Sequence, residues 1–462
     1  MSDIVCISPI DGTELARRPA ASDSSLAAAL EAARIAQRDW RQVPIAERSA
    51  HVLRFLDAML AMNQEIVPEL AQQMGRPVRN GGEFRGFEER VRYVVEMAAR
   101  GALDPVVPHD ARDGFRRYVK RDPLGIVLVV APWNYPYLTA VNTIAPALIA
   151  GNAVLLKHAA QTILVGERFQ MAMDRAGLPK GLFTNLVLTH DQTSRLIGSG
   201  AVDFVNFTGS VEGGRAIERA AAGTFTPLGL ELGGKDPAYV RADADLAFAV
   251  ENLVDGAFYN SGQCCCGIER IYVHESLYDR FIEGFVDLTA GYVLGNPLDE
   301  ATTLGPMAQG RFADLIRGQI AEAVGKGATA HIDPARFPAN RAGTPYLAPQ
   351  VLTGVDHSMS VMTQESFGPV VGIMKVTDDA QALALMNDSV YGLTASIWTA
   401  DVETAEALGN EIETGTVFMN RCDYLDPGLA WTGVKDTGRG ATLSRIGFEM
   451  LTRPKSFHLR HG

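Results

Sequence analysis

The chain has 462 residues, 47% of them hydrophobic and 21% charged, with a net charge of −12 at pH 7. That length exceeds what one core usually supports, so two or more domains are expected, and the composition is ordinary for a globular enzyme. The acidic balance and the lack of a basic run exclude a nucleic-acid surface, and no apolar stretch reaches the roughly 18 residues a membrane span needs. Asp3 comes early with no apolar core behind it, so no secretory signal is expected. Five cysteines, three of them adjacent, make a poor disulfide framework, and a reducing, cytoplasmic setting fits best.

Ser22–Asp23 caps a predicted helix running to Trp40, followed by helices over Ala46–Met62, from Asn63 to about Gly75, and over Phe84–Arg100. Phe115–Arg121 alternates as an exposed strand does. Strand and helix then take turns. Ile126–Val130 is a short apolar run suited to a parallel strand buried on both faces. A helix to Ile149, strand Ala153–Leu156, helix Ile163–Ala176, strand Thr184–Leu188, helix Asp191–Ile197, strand Asp203–Phe207 and helix Glu212–Ala222 follow. This alternation predicts a doubly wound α/β sheet with a ligand crevice beyond the carboxyl ends of its strands. A second α/β pattern runs from about Gly233 to Arg421, with elements at Leu246–Ala257, Ile268–Val273, Leu277–Leu288 and Ala380–Met386. Pro454–Leu459 reads as a further exposed strand.

Three stretches carry chemical interest. Phe258–Cys266 holds the adjacent thiols Cys264, Cys265 and Cys266, with Gly262 for close backbone approach and Asn260 and Gln263 as polar turn formers. A cysteine nucleophile needs neighbours that lower its pKa or take its proton; buried, inert thiols are the plain alternative. Thr208–Gly214 lies where a strand hands over to a helix, which suits a pyrophosphate but equally a simple tight turn. Lys157 ends a strand, where either a ligand-facing or a solvated lysine can sit.

With Phe258-x-Asn260-x-Gly262-Gln263-x-Cys265 in view, the chain resembles the aldehyde dehydrogenase superfamily. Further landmarks follow in order: Pro132–Trp133–Asn134, Lys157, Phe207–Ser210, Glu231–Lys235 and Glu365–Pro369. The resemblance implies a doubly wound Rossmann-type cofactor domain (1–104, 124–231 and 432–450) interleaved with an α/β catalytic domain (232–431). It also implies an oligomerisation arm (105–123 and 451–462) and hence a homodimer or homotetramer. It implies NAD(P)-dependent oxidation of an aldehyde without acyl transfer to coenzyme A, since Glu231 is present. Cys265 would be the nucleophile, Glu231 the general base and Asn134 the oxyanion donor. Cys264 and Cys266 would point elsewhere, as neighbours on an extended segment do. Cofactor contacts fall on Pro132, Trp133, Lys157, Ala160, Gly209, Ser210, Gly214, Leu232, Gly233, Glu365 and Phe367. Ala160 stands where NAD-preferring members carry an acid, so NADP is expected to be tolerated. Substrate-side positions are Tyr137, Tyr259, Cys264, Cys266, Arg421, Leu425 and Trp431, with Arg421 either holding a substrate carboxylate or pairing with Asp423. Two departures stand out: Thr143 replaces a relay lysine and Thr442 a terminal acid, leaving the general base with less support. No metal is expected, because adjacent thiols lack the spacing of structural zinc sites.

Overall fold

The computed structural model describes residues 3–461. Ser22 caps the first helix, Asp23–Trp40, by accepting from the Ser25 backbone N–H, and helices Ile45–Leu60, Asn63–Met74 and Phe84–Ala99 follow. Their apolar faces (Val52, Phe55, Phe87 and Val91 among them) join one large core with the first sheet.

That sheet has six strands in the order Gly438–Arg439, Leu228–Glu231, Phe204–Thr208, Ile126–Val130, Ala153–Lys157, Phe183–Asn185. All pairs are parallel except the edge strand Gly438–Arg439. Every residue of Ile126–Val130 and Ala153–Lys157 is buried, as continuous apolar runs covered on both faces require. Chain order runs outward on both sides of Ile126–Val130, so a switch point falls between it and Phe204–Thr208. A crevice opens where the chain leaves two such strands in opposite directions. Pro132–Asn134 and Gly209–Ser210 lie just past those two strand ends.

The second sheet has seven strands in the order Thr329–Ala330, Gln350–Thr353, Val370–Val376, Ile268–His274, Asp236–Val240, Thr394–Trp398, Thr416–Met419. Outside both sheets, Phe115–Pro123 and Thr452–Arg460 form a two-stranded antiparallel arm in the register Phe115↔Arg460. Cross-strand stacking of Tyr118 on Phe457, centroids 4.6 Å apart, ties it.

Several elements go unread in the sequence. The hairpin Asp3–Ile7 with Glu14–Pro19 is one, and the helix Gly310–Gly325, with glycines at both ends and at 318, is another. The expected strand Thr184–Leu188 is shorter, Phe183–Asn185, because the chain turns into a capping box built by Thr189 and Gln192. Among the described residues, no helix is long and apolar enough to cross a membrane.

Candidate active site

The site lies beyond the carboxyl ends of the first sheet and the amino ends of strands Asp236–Val240 and Ile268–His274. A kinked turn presents the thiols. Asn260 and Ser261 both adopt left-handed backbone angles (φ 54° and 58°), followed by Gly262 at φ 68°. Two consecutive non-glycine residues in that region are strained, so surrounding contacts must hold them. A Cβ at Gly262 would lie 2.4 Å from the Gly368 carbonyl oxygen, so only glycine fits. Ser261 donates to the Gly305 carbonyl and Gln263 accepts from the Ala308 N–H.

A buried charge network completes the grip. Arg76 pairs with Glu83 at 2.5 Å, donates to the Asn134 carbonyl and the Asn260 side chain, and lies over the Tyr135 ring. Glu83 in turn accepts from the N–H groups of Tyr137 and Leu138, which open the helix Pro136–Ala150. Acceptance at a helix N-terminus suits an anion. Asn134, itself buried, donates to the Gln263 carbonyl at 3.3 Å. The oxyanion candidate and the thiol loop are thereby locked to each other.

The three cysteines sit on a turn closed by the Gly267 N–H bonding the Cys264 carbonyl. Cys264 and Cys266, expected to point elsewhere than Cys265 from an extended segment, lie on this turn instead. Their sulfurs are 3.5 Å apart and both side chains are buried, while Cys265 is half-exposed. One negative charge fits among touching thiols. The Cys264 pKa is lowered by contact with Cys265 and then Cys266, and both neighbours are pushed up chiefly by their contact with Cys264. Cys265 is the thiol an incoming molecule can reach. Its backbone N–H has no acceptor among the described residues.

Glu231 ends the strand Leu228–Glu231 and is buried. Burial pushes its pKa up, and donations from Thr442 (2.5 Å) and Thr208 (3.0 Å) pull it back. Thr442 therefore supports this carboxylate directly, contrary to the loss of support expected from its missing acid. Thr143 is buried with its hydroxyl unpartnered. Three residues beyond Glu231, Gly234 packs so closely that a Cβ would lie 2.8 Å from the Cys265 carbonyl oxygen. The Gly234 N–H also donates to Glu365. One short segment thus joins the carboxylate, the thiol turn and Glu365.

A cleft of about 610 Å³ opens beside this cluster, lined by Pro132, Trp133, Lys157, Ala160, Gly209 and Ser210. Ser210 caps the helix Val211–Ala221 by accepting from the Gly213 N–H. Lys157 is buried, its pKa lowered to about 8 by burial, and pairs with no carboxylate among the described residues. A buried unpaired cation beside a helix N-terminus and a bare glycine turn fits an anionic dinucleotide. Trp133 stands edge-on to Phe367, whose φ is 52°. Burial raises Glu365 to about 8. A Cβ at Gly214 would meet the Leu232 side chain at 2.6 Å, so these two residues pack closely against each other. Gly233 lies against the Glu365 carboxylate.

The substrate-side positions divide. Cys264, Cys266, Leu425 and Trp431 share a small apolar cluster with Tyr135. Tyr137 is a correction: it is buried among Phe84 and Phe169 in the main core. Tyr259 reaches toward the Asn80 carbonyl. Arg421 is exposed, stacked 3.5 Å over the Tyr424 ring, and forms no ion pair with Asp423. Asp423 is raised to about 8 by burial. Sequence reasoning missed Arg76, Glu83 and Tyr135, and the bond from Thr208 to Glu231. A loop with one short 3-10 turn, Val78–Asn80, separates Arg76 and Glu83 in the chain, and nothing local signals their partners.

Residues 1–457 match the aldehyde dehydrogenase family. An aldehyde dehydrogenase of Paenarthrobacter nicotinovorans is 34% identical over 98% of this chain and 99% of its own. A succinate semialdehyde dehydrogenase [NAD(P)+] of Escherichia coli is 32% identical over 96% and 95%. The structure of a succinic semialdehyde dehydrogenase from Streptococcus pyogenes with NADP+ superposes with a TM-score of 0.93 at 29% identity, covering 99% of this chain and all of that one. The chain belongs to the aldehyde dehydrogenase family. It is an NAD(P)-dependent oxidoreductase that converts an aldehyde to a carboxylic acid by way of a cysteine-bound thiohemiacetal and thioester.

Proposed function

We propose that Cys265, Glu231 and Asn134 carry this oxidation. The observation that supports the assignment is the segment Glu231–Gly234, which touches both the Cys265 carbonyl and Glu365 beside the cleft. Cys265, the half-exposed thiol, releases its proton to solvent and adds through its sulfur to the aldehyde carbon. The Asn134 amide and the Cys265 backbone N–H then receive the oxyanion, and losing one such donor costs roughly 10²–10³ in kcat. The bound nicotinamide supplies the hydride acceptor. Lys157, Gly209, Ser210, Ala160, Pro132 and Trp133 hold the cofactor, with Glu365 and Phe367 at its nicotinamide end. Glu231 activates the water that hydrolyses the thioester, and the upward push of burial on its pKa makes it a stronger base for that task.

The domain ranges given above fit this division of labour, the arm and the free edge at Thr416–Met419 suit a homodimer or homotetramer, and five free thiols suit the cytoplasm. The decisive experiment is Glu231→Gln with a single turnover of aldehyde and NAD(P). The expected result is one equivalent of reduced cofactor, steady turnover down about 10²–10⁴-fold, and an acyl mass adduct on the Cys265 peptide. An adduct on another residue, or full turnover, overturns the assignment.

A further inference from the structure

Lys235 and Glu269 form an ion pair at 2.5 Å, both side chains buried, that takes no part in the chemistry described above. Removing such a pair from water costs more than its attraction returns unless further hydrogen bonds complete it. Here they do. Glu269 Oε2 accepts from the Ser366 N–H (2.8 Å) as well as from Lys235, and Oε1 accepts from the Phe367 N–H (2.8 Å). Lys235 Nζ donates also to the Ser366 hydroxyl at 2.9 Å. One carboxylate thus grips two successive backbone N–H groups of a segment that begins 97 residues further along the chain. The strand that carries it is shaped to aim it. Ile268 pairs with Asp236 and Arg270 with Pro237, so Glu269 is the extra residue of a bulge, a feature that redirects a side chain.

The gripped segment bears both residues assigned above to the nicotinamide end of the cofactor. Phe367 has a left-handed φ of 52°, which a non-glycine residue keeps when its surroundings impose it, and its own N–H is one of the two that Glu269 holds. Glu365, on the other side of Ser366, accepts from the Gly234 N–H at 3.1 Å and from no other group among the described residues. Lys235 follows Gly234 in the chain and its charge reaches Glu365, yet its hydrogen bonds go to Glu269 and Ser366. Glu269 therefore occupies the one cation that would otherwise engage Glu365.

We propose that Glu269 is the positioning residue of the nicotinamide end: its carboxylate fixes Glu365 and Phe367 through the Ser366–Phe367 backbone and holds Lys235, which leaves the Glu365 carboxylate open to the cofactor. The proposal rests on the reading of Glu365 and Phe367 as contacts of that end. An amide at position 269 keeps one acceptor oxygen of the two, so either Phe367 or the pair Ser366 and Lys235 loses its partner. Lys235, no longer neutralised, is then drawn to Glu365, the other carboxylate whose charge it feels.

The test measures binding of NAD+ and of NADP+ by calorimetry with no aldehyde present, together with steady-state kinetics and thermal unfolding. It uses the wild type, Glu269→Gln and the double variant Lys235→Met/Glu269→Met. Glu269→Gln should raise the cofactor Kd about 10-fold or more and lower kcat, with the aldehyde KM unmoved. The double variant removes both charges at similar bulk, so its stability should stay near that of the wild type. Its cofactor affinity should nevertheless stay weak, because two backbone N–H groups still lack their acceptor. Affinity that tracks stability across both variants, falling or recovering with it, makes Glu269 no more than the counter-charge of Lys235 and overturns the proposal. Wild-type affinity in either variant overturns it as well. Glu365→Gln, measured alongside, separates this from the reading beneath it. Full cofactor affinity there strikes the assignment of Glu365 and carries the proposal down with it, whereas lost affinity there with unchanged affinity in the Glu269 variants defeats the proposal alone.

Discussion

The cofactor turn at Thr208–Gly214 and the thiol turn at Asn260–Cys266 do comparable jobs by different means. The first is ordinary secondary structure: a parallel strand ends, Ser210 caps the next helix, and its backbone angles (φ −69°, ψ 155°) are relaxed. The second holds three successive residues at positive φ, two of them not glycine. Its conformation is imposed from outside, by Arg76 and Asn134, which are 184 and 126 residues away from Asn260 in the chain. A site that needs only exposed N–H groups can be left to helix geometry. One whose backbone must be kept in strained angles beside adjacent thiols is held by buried charge.

Substitutions that strike each support break this comparison or bear it out. Arg76→Met leaves Glu83 buried without its partner and frees Asn134 and Asn260 together. The expected loss is about 3–5 kcal/mol of stability, with kcat falling and the KM for cofactor little changed. Ser210→Ala removes one helix cap and should cost about 1 kcal/mol, expressed mainly in cofactor KM. Thermal unfolding and steady-state kinetics on both variants check this. Equal stability losses would show that the thiol turn is no more dependent on distant groups than the cofactor turn.

The same contrast explains what could be read from the sequence. Cys265, Glu231, Lys157 and the turn at Gly209 sit at strand ends or between regular elements, so local pattern and a family resemblance locate them. Helices whose apolar period is clear, such as Phe84–Ala99, were visible to within a residue or two. The Arg76–Glu83 pair was invisible, because its meaning lies in the Asn134 carbonyl and in two N–H groups of another helix. Thr442 misled for a related reason. Its residue type lacks a charge, yet an edge strand antiparallel to Leu228–Glu231 and a bridge to Trp431 bring its hydroxyl to Glu231. Tyr137 misled in the opposite sense: an aromatic residue next to the oxyanion segment looks like a pocket wall, but helix geometry turns it into the core while Tyr135 faces the thiols.

Thr442→Val isolates that contact. The hydroxyl donates to the carboxylate and lowers its pKa against the pull of burial, so its loss raises the Glu231 pKa further. The active form of a general base is the carboxylate. The ascending limb of the kcat–pH profile should therefore move to higher pH, with turnover at neutral pH lower by roughly 10-fold, the low end of what a hydrogen bond to a charged group represents. A limb that stays put or moves to lower pH means that Thr442 does not tune Glu231 in the working enzyme.

The smallest effect belongs to the cofactor side and is a change of preference more than of rate. Ala160 is exposed at the rim of the cleft next to Lys157 and brings no charge of its own. A 2′-phosphate placed there meets the Lys157 cation and no opposing acid, so NADP should be accepted alongside NAD. Ala160→Glu adds a carboxylate that repels the phosphate by about 1 kcal/mol or more at contact distances, even with the dielectric of water. The ratio of kcat/KM for NADP over NAD should fall at least about 5-fold, with thermal stability and the aldehyde KM unmoved. Should the ratio stay constant, the 2′-position lies away from residue 160, and the local reading of this half of the site, on which its contrast with the thiol turn depends, would have to be abandoned.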